Sequence, residues 1–420
     1  MTAAPVDLEG GFVVVGGGIG GLSAALGLAR GGHQVTVLES APQFGEIGAG
    51  LQLAPNATRI LRRWGLLDAV MDAGVRPRRL VLSDAMTGRE LTSMELGRAF
   101  LERYGAPYVV LHRKDLHDVV LDACRAEGVA LVNDGHAVAV REDAGGAEVD
   151  CLDGRSFRAA AVVVADGLNS TLRTFFVDDE PIPCGYVAYR GALPIEAVDS
   201  HADLRDVQVY VGTGMHLVQY ALRGGRMYNQ VAVFRSERFF GGQADWGTPE
   251  ELQDRFGAAC SSVRQALPSL WLDQRWPMYD REPIDRWATG RIALLGDAAH
   301  PMLQYLAQGA CQAFEDADCL GRAVADHVVG NVAAGGLPAG ELARALDEYQ
   351  RTRVPRASRV QRNARTWGEI WHTDGVAVLL RNELFARRSP TDYQEADWLY
   401  GDTPAVAVRG SRDRSGRGAT

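Results

Sequence analysis

Four consecutive apolar residues, Phe12–Val15, run directly into Gly16. So short an unbroken run, stopped by glycine, predicts a strand buried on both faces. Residues 20–30 follow with apolar side chains at helical spacing and stop at Gly31-Gly32, which predicts a helix with a glycine stop. Residues 34–39 alternate apolar and polar, a second strand. Strand, helix and strand in this order predict a parallel pair joined by a right-handed crossover. Further along, 55–67 reads as a helix with an arginine-rich outer face, and 108–111 as a strand. Residues 115–127 carry Leu116, Val119, Val120 and Cys124 at helical spacing, and 159–165 is a fully apolar strand.

From 181 to about 285 the texture changes. Period-two alternation dominates at 207–211, 216–222 and 228–234, broken by glycine and proline turns. This predicts a separate antiparallel sheet. Residues 292–295 return to the first sheet. Helical patterns then cover 308–329 and 340–372, the second with a kink expected at Pro355. Beyond 403 the composition turns to glycine, arginine and serine, which predicts a frayed tail. The fold class expected is α/β: a Rossmann-like domain with a mostly parallel sheet, a smaller antiparallel-sheet domain and a C-terminal helical segment. The first is assigned 1–84, 105–180 and 285–338, the second 85–104 and 181–284, the helical segment 339–403 and the tail 404–420.

Composition narrows the function. A chain of 420 residues, 46% hydrophobic and 23% charged, is an ordinary globular protein of two or three structural units. Its net charge of −9 argues against nucleic acid as the main partner. Six scattered cysteines contain no C-x-x-C, so neither a zinc site nor a disulfide framework is predicted, and a reducing, cytoplasmic setting fits. The N-terminus lacks a basic region before its first apolar run, and no apolar stretch reaches membrane-spanning length. Neither a signal peptide nor a membrane anchor is expected, nor a metal.

Three strand ends carry candidate chemistry. Gly16-Gly17-Gly18-Ile19-Gly20-Gly21 is a G-x-G-x-x-G between a strand and a helix. Gly16, Gly18 and Gly21 would let the backbone turn sharply and approach a pyrophosphate at the positive helix end. Glu39, closing the next strand, is placed to bind ribose hydroxyls. By itself the motif is also compatible with a structural turn, and it does not separate FAD from NAD. Gly296-Asp297-Ala298-Ala299-His300-Pro301 follows a second strand; Asp297 either meets a ribityl chain or caps a helix. Asp166, in Val164-Ala165-Asp166-Gly167, follows a third, where a plain Asp-Gly turn is the simpler reading.

Together, in order and spacing, these sites resemble the three FAD fingerprints of the group A flavoprotein aromatic hydroxylases, the p-hydroxybenzoate hydroxylase type. The segment Ile47-Gly48-Ala49-Gly50-Leu51-Gln52-Leu53-Ala54-Pro55-Asn56-Ala57 resembles that family's stretch beside the flavin ring, with Gly50 and Leu51 as contacts, and Arg113 matches its FAD-contacting arginine. The resemblance runs from about Gly11 to Trp398. It implies FAD, NADH or NADPH as co-substrate, molecular oxygen, a small aromatic acid and a homodimer. Within the family the chain resembles 3-hydroxybenzoate 6-hydroxylases, which make gentisate, with salicylate hydroxylases next. His216 and Tyr220, four apart on a strand and so on one face, carry this resemblance. So do Gln304, where many relatives have proline, and Ala307-Gln308-Gly309 in place of Gly-Gln-Gly.

The chemistry implied is hydroxylation of a phenol by a flavin C4a-hydroperoxide. A phenolate attacks an electrophilic oxygen far better than a phenol, so the protein must take the phenolic proton. His216 is the candidate base, with Tyr220 bonding the substrate and Gln304 orienting it. Gly309 and Ala310 open a helix that would favour negative charge at the flavin edge. Asp84 is a further polar candidate, with solvation as its ordinary role. The arginines of 351–365 read as a solvated face or an internal salt-bridge rail. Other aromatic-tailoring flavin monooxygenases are the nearest alternative. An NAD-dependent dehydrogenase is the alternative of a different class; its short-chain type needs Tyr-x-x-x-Lys, and the chain's single lysine, Lys114, has the wrong spacing.

Overall fold

A computed structural model describes residues 6–8, 10–45, 48–198, 204–328 and 339–401. The tail expected beyond 403 lies outside these residues. The first layer is a five-stranded parallel sheet in the order Ile292–Leu294, Ala161–Val164, Phe12–Val15, Val35–Leu38, Ala130–Val132. Phe12, Val13 and Val14 are fully buried at its centre. Each such side chain contributes roughly 1.5–3 kcal/mol by leaving water, which is why so short a strand holds. The helix Ile19–Arg30 packs against the sheet and against the helix Gly309–His327.

The second layer is a seven-stranded sheet in the order Trp276–Asp280, Ile182–Pro194, Met227–Arg235, Met215–Leu222, Val207–Gly212, Arg79–Asp84, Glu90–Glu95. It is not wholly antiparallel as expected. Val207–Gly212 runs parallel to Arg79–Asp84, with Val209 opposite Leu82. Residues 79–84, assigned from sequence to the first domain, thus belong to this sheet. One face buries Val187, Tyr189, Leu217 and Phe234 beneath Phe239, Leu252 and Phe256. The other face packs toward the parallel layer through Val207, Val211, Tyr220 and Val233. A period of two therefore serves two separate cores.

Other departures are local. The helix expected over 55–67 is two, Pro55–Arg63 and Leu67–Ala73, parted where Gly65 takes φ +67°. A further sheet of Val6–Asp7, Ser156–Ala159, Ala147–Cys151 and Ala137–Glu142 was not read from sequence. Ala339–His372 is one helix that continues through Pro355.

Candidate active site

The glycine turn after Phe12–Val15 is shaped by its own backbone. Gly16 sits at φ +107°, and a Cβ there would lie 2.3 Å from the carbonyl oxygen of Ala165. A Cβ on Gly21 would lie 1.9 Å from the Gly16 carbonyl oxygen. Neither position tolerates a side chain without moving backbone. Gly18 precedes the helix Ile19–Arg30, whose first turn has no side-chain cap and no acidic residue. Glu39 accepts hydrogen bonds from the amides of Gly17 and Ala41, each at 2.8 Å. This fixes the carboxylate at the mouth of the turn. His117, buried, bonds the Gly17 carbonyl at 2.8 Å and fastens the loop from behind.

The other fingerprints converge on the same edge. Asp166 follows the strand Ala161–Val164, and its Oδ1 is buried with no hydrogen-bond partner. Burial raises its pKa from the ordinary value. Asp297 stands in the short turn Gly296–Ala298 rather than capping a helix, and its Oδ1 lies 3.9 Å from the point a Cβ on Gly309 would occupy. Gly309 and Ala310 open the helix Gly309–His327, which again has no side-chain cap and no acidic residue in its first turn. Two uncapped helix starts, a ribose-ready carboxylate and an orphaned buried carboxylate oxygen fit a dinucleotide with a charged pyrophosphate and a long polyol. FAD is such a group.

Gly50 and Leu51 lie in the strand Gly50–Leu53, paired with Val109–His112. Arg113 begins the helix Arg113–Ala126, and its side chain lies against Gly48. Gly50 joins the two layers: its amide donates to Asn229 Oδ1 at 2.7 Å, and a Cβ on it would lie 2.5 Å from the Tyr220 ring. Only glycine lets that ring pack on this strand.

His216 and Tyr220 share the sheet face that looks toward this segment. His216 is opposite Val233, and Tyr220 is opposite Asn229. His216 is 1% exposed, and its Nδ1 lies 2.8 Å from Nε2 of His372, at the end of the long C-terminal helix. Tyr305 and Trp371 pack their rings around it at 5.4 and 5.2 Å. Burial, then the neighbouring imidazole, holds the His216 pKa well below its ordinary value. Burial, with Arg381 nearby, takes His372 down to about 3. Burial raises the Tyr220 hydroxyl despite the opposing charge of Arg190. Gln304 is half-buried in the turn Gln304–Leu306, next to Tyr305. Asp84 does not face this site; its Oδ1 accepts from the Met86 and Thr87 amides and caps a turn. Sequence reading missed His372, Tyr305, Asn229 and Arg190. Of these only Arg190 carried a local signal, a charge inside an apolar strand.

Behind Gly309–His327 lies a closed charge network. Arg353 meets Asp316 at 2.7 Å and Glu315 at 2.6 Å, and His300 meets Asp316 at 2.5 Å. Burial opposes both ionised carboxylates, but Arg353 with Arg356 holds Glu315 at about 2, and His300 with Arg353 holds Asp316 at about 2. Arg353 and Arg356 are therefore an internal rail, while Arg351, Arg359 and Arg362 are exposed, so each of the two readings holds for part of the run.

A glycine-cradled dinucleotide site closed over by a second sheet is the architecture of a flavoprotein. The family model described as an FAD binding domain matches residues 11–364, and the chain belongs to that family. It is 39% identical over 405 residues to the 3-hydroxybenzoate 6-hydroxylase of Polaromonas naphthalenivorans (strain CJ2), covering 96% of this chain and 98% of that one. It is 38% identical to the 3-hydroxybenzoate 6-hydroxylase of Klebsiella oxytoca, over 93% and 96% of the two chains. The crystal structure of Klebsiella pneumoniae HpxO complexed with FAD and uric acid matches with a TM-score of 0.78 and 26% identity, over 91% of this chain and 94% of that one. The chain is a flavoprotein monooxygenase of the aromatic hydroxylase group, and the dehydrogenase alternative falls. Among the described residues no helix is long and apolar enough to cross a membrane.

Proposed function

We propose that this enzyme hydroxylates 3-hydroxybenzoate at the carbon para to its hydroxyl and releases gentisate. The observation that carries the reading is the His216–Tyr220 face, set against Gly50 at the cofactor's edge. The names of the two 3-hydroxybenzoate 6-hydroxylases support the substrate. In this reading the parallel layer is the cofactor domain and the seven-stranded sheet the substrate domain.

FAD, when bound, supplies the reducing equivalents taken from NADH or NADPH and the activated oxygen atom. Gly16, Gly18, Gly21, Glu39, Arg113, Asp166 and Asp297 would hold it, with Gly50 and Leu51 beside its ring. The helix start at Gly309 and Ala310 favours negative charge there. The protein's own task is proton handling and placement. His216 Nε2 takes the phenolic proton. A buried imidazole held well below pKa 6.5 stores a second proton poorly, so His216 passes one on from Nδ1 to His372 Nε2 across 2.8 Å. His372, 8% exposed, stands nearer solvent than His216. Tyr220 bonds the substrate, and Gln304 orients it.

Homodimerisation belongs to the same reading. Val376, Leu379, Leu380 and Leu384 are each more than 60% exposed and share one face of the helix Gly375–Ala386. The six cysteines are free, which suits a cytoplasmic setting. The test is a panel of 2-, 3- and 4-hydroxybenzoate, scoring stimulated NADH oxidation together with product identity. Gentisate from 3-hydroxybenzoate is expected. Product from another isomer alone overturns the assignment.

A further inference from the structure

Among the described residues, the other buried arginines are neutralised or bonded. Arg173 and Arg281 share Asp179 at 2.9 and 2.8 Å, and Arg353 holds Asp316 at 2.7 Å. Arg291 and Arg381 donate to backbone carbonyls. Arg190 differs. Its Nε is buried with no hydrogen-bond partner, and no carboxylate among the described residues pairs with its guanidinium. One face of the group lies 5.4 Å over the Trp276 ring, which fixes its plane and leaves its edge available. Burial, with the Arg113 charge nearby and against the pull of Tyr220, lowers its pKa. A desolvated cation without a counter-ion is costly in isolation, so this geometry awaits an anion.

The strand register says where. Arg190 is opposite Val231, which is opposite Val218; Tyr220 lies two residues further along the same strand as Val218. The arginine, Tyr220 and His216 therefore share one sheet face. Two inter-strand steps, roughly 10 Å, and two residues along the strand, roughly 7 Å, put the backbones of Arg190 and Tyr220 roughly 12 Å apart. The guanidinium, held over Trp276, and the histidine thus stand on the face assigned to the substrate in the reading above.

We infer that Arg190 anchors the carboxylate of the aromatic acid, an inference that rests on the substrate class proposed above. A guanidinium grips a planar carboxylate through two parallel N–H donors. Fixing that end sets the ring in register, so that the hydroxyl meets His216 and the para carbon faces the cofactor. The other anion within the enzyme's chemistry is the FAD pyrophosphate, and the test separates the two.

The experiment uses flavin-loaded enzyme and follows the flavin absorbance change on titration with 3-hydroxybenzoate and with neutral 3-hydroxybenzamide. Arg190→Gln is expected to weaken binding of the acid roughly 10- to 100-fold, with binding of the amide and flavin content unchanged. Arg190→Lys, which keeps the charge but not the fork, is expected to recover part of the loss. Equal weakening of acid and amide, or no weakening, overturns the inference while leaving gentisate formation by the native enzyme intact. Loss of flavin from both variants assigns the cation to the cofactor phosphate and overturns it too. A native enzyme that binds no aromatic acid removes this inference and the substrate proposal together.

Discussion

Two polar regions of the molecule are built on opposite principles. Behind the helix Gly309–His327, the charges of Arg353, Arg356, Glu315, Asp316 and His300 pair with one another. On the sheet face, His216 bonds only His372, and Arg190 Nε bonds nothing among the described residues. A network that closes on itself positions backbone; one left open in a buried place is shaped for a ligand. In the reading proposed above, the closed region is scaffold and the open one is where substrate is handled.

The largest test of that contrast is Arg353→Met. It removes the cation shared by two buried carboxylates, leaving Glu315 only Arg356 and Asp316 only His300 as charged partners, and is expected to cost about 3–5 kcal/mol of stability, read by denaturant unfolding. The pH dependence follows. Glu315 and Asp316 are held at about 2 in the folded protein, against roughly 4 in the unfolded chain. The unfolded state therefore binds more protons between those values, and this stabilisation is complete above about pH 5 and lost as pH falls toward 2. A variant with the native midpoint would show that the network is not structural.

His216→Ala probes the open side. It is expected to keep FAD, slow hydroxylation by about 10²–10⁴-fold and divert NADH oxidation to hydrogen peroxide. Unchanged product per NADH refutes its role. With both histidines held below their ordinary range, the native product-forming rate should show no protonation step near pH 6.5. Glu39→Ala and Asp297→Ala have a smaller effect: flavin retention should fall roughly tenfold each, a loss of the order of one charge-assisted hydrogen bond. Full flavin content in both after gel filtration contradicts the cofactor map. The smallest effect belongs to Ala307, which adopts φ +52° where glycine is at ease. Ala307→Gly is expected to stabilise by no more than about 1 kcal/mol, since relief of left-handed strain is partly offset by unfolded-chain entropy. A lower unfolding midpoint would mean the turn is not strained.

The glycine turn, Glu39 and the apolar strands of the parallel layer were legible because each rests on neighbours close in sequence. Pairing of Val209 with Leu82 was not, because register between distant strands leaves no local pattern. His372 was invisible for the same reason: it reaches His216 from 156 residues away. Asp84 stayed open between two roles because a carboxylate near a strand end reads alike whether it caps a turn or faces a ligand; it caps a turn. Arg190 stood in plain view, but its significance lies in what does not surround it.

Local chemistry thus wrote the dinucleotide cradle into the chain: glycine where backbone must bend, acid where ribose must bond, apolar runs where a sheet must bury itself. Tertiary structure alone decided which charges cancel and which stay open. Coulombic pairing depends on distance in space, and the partners of Glu315, His216 and Arg190 are set by how helices and strands far apart in sequence come to rest.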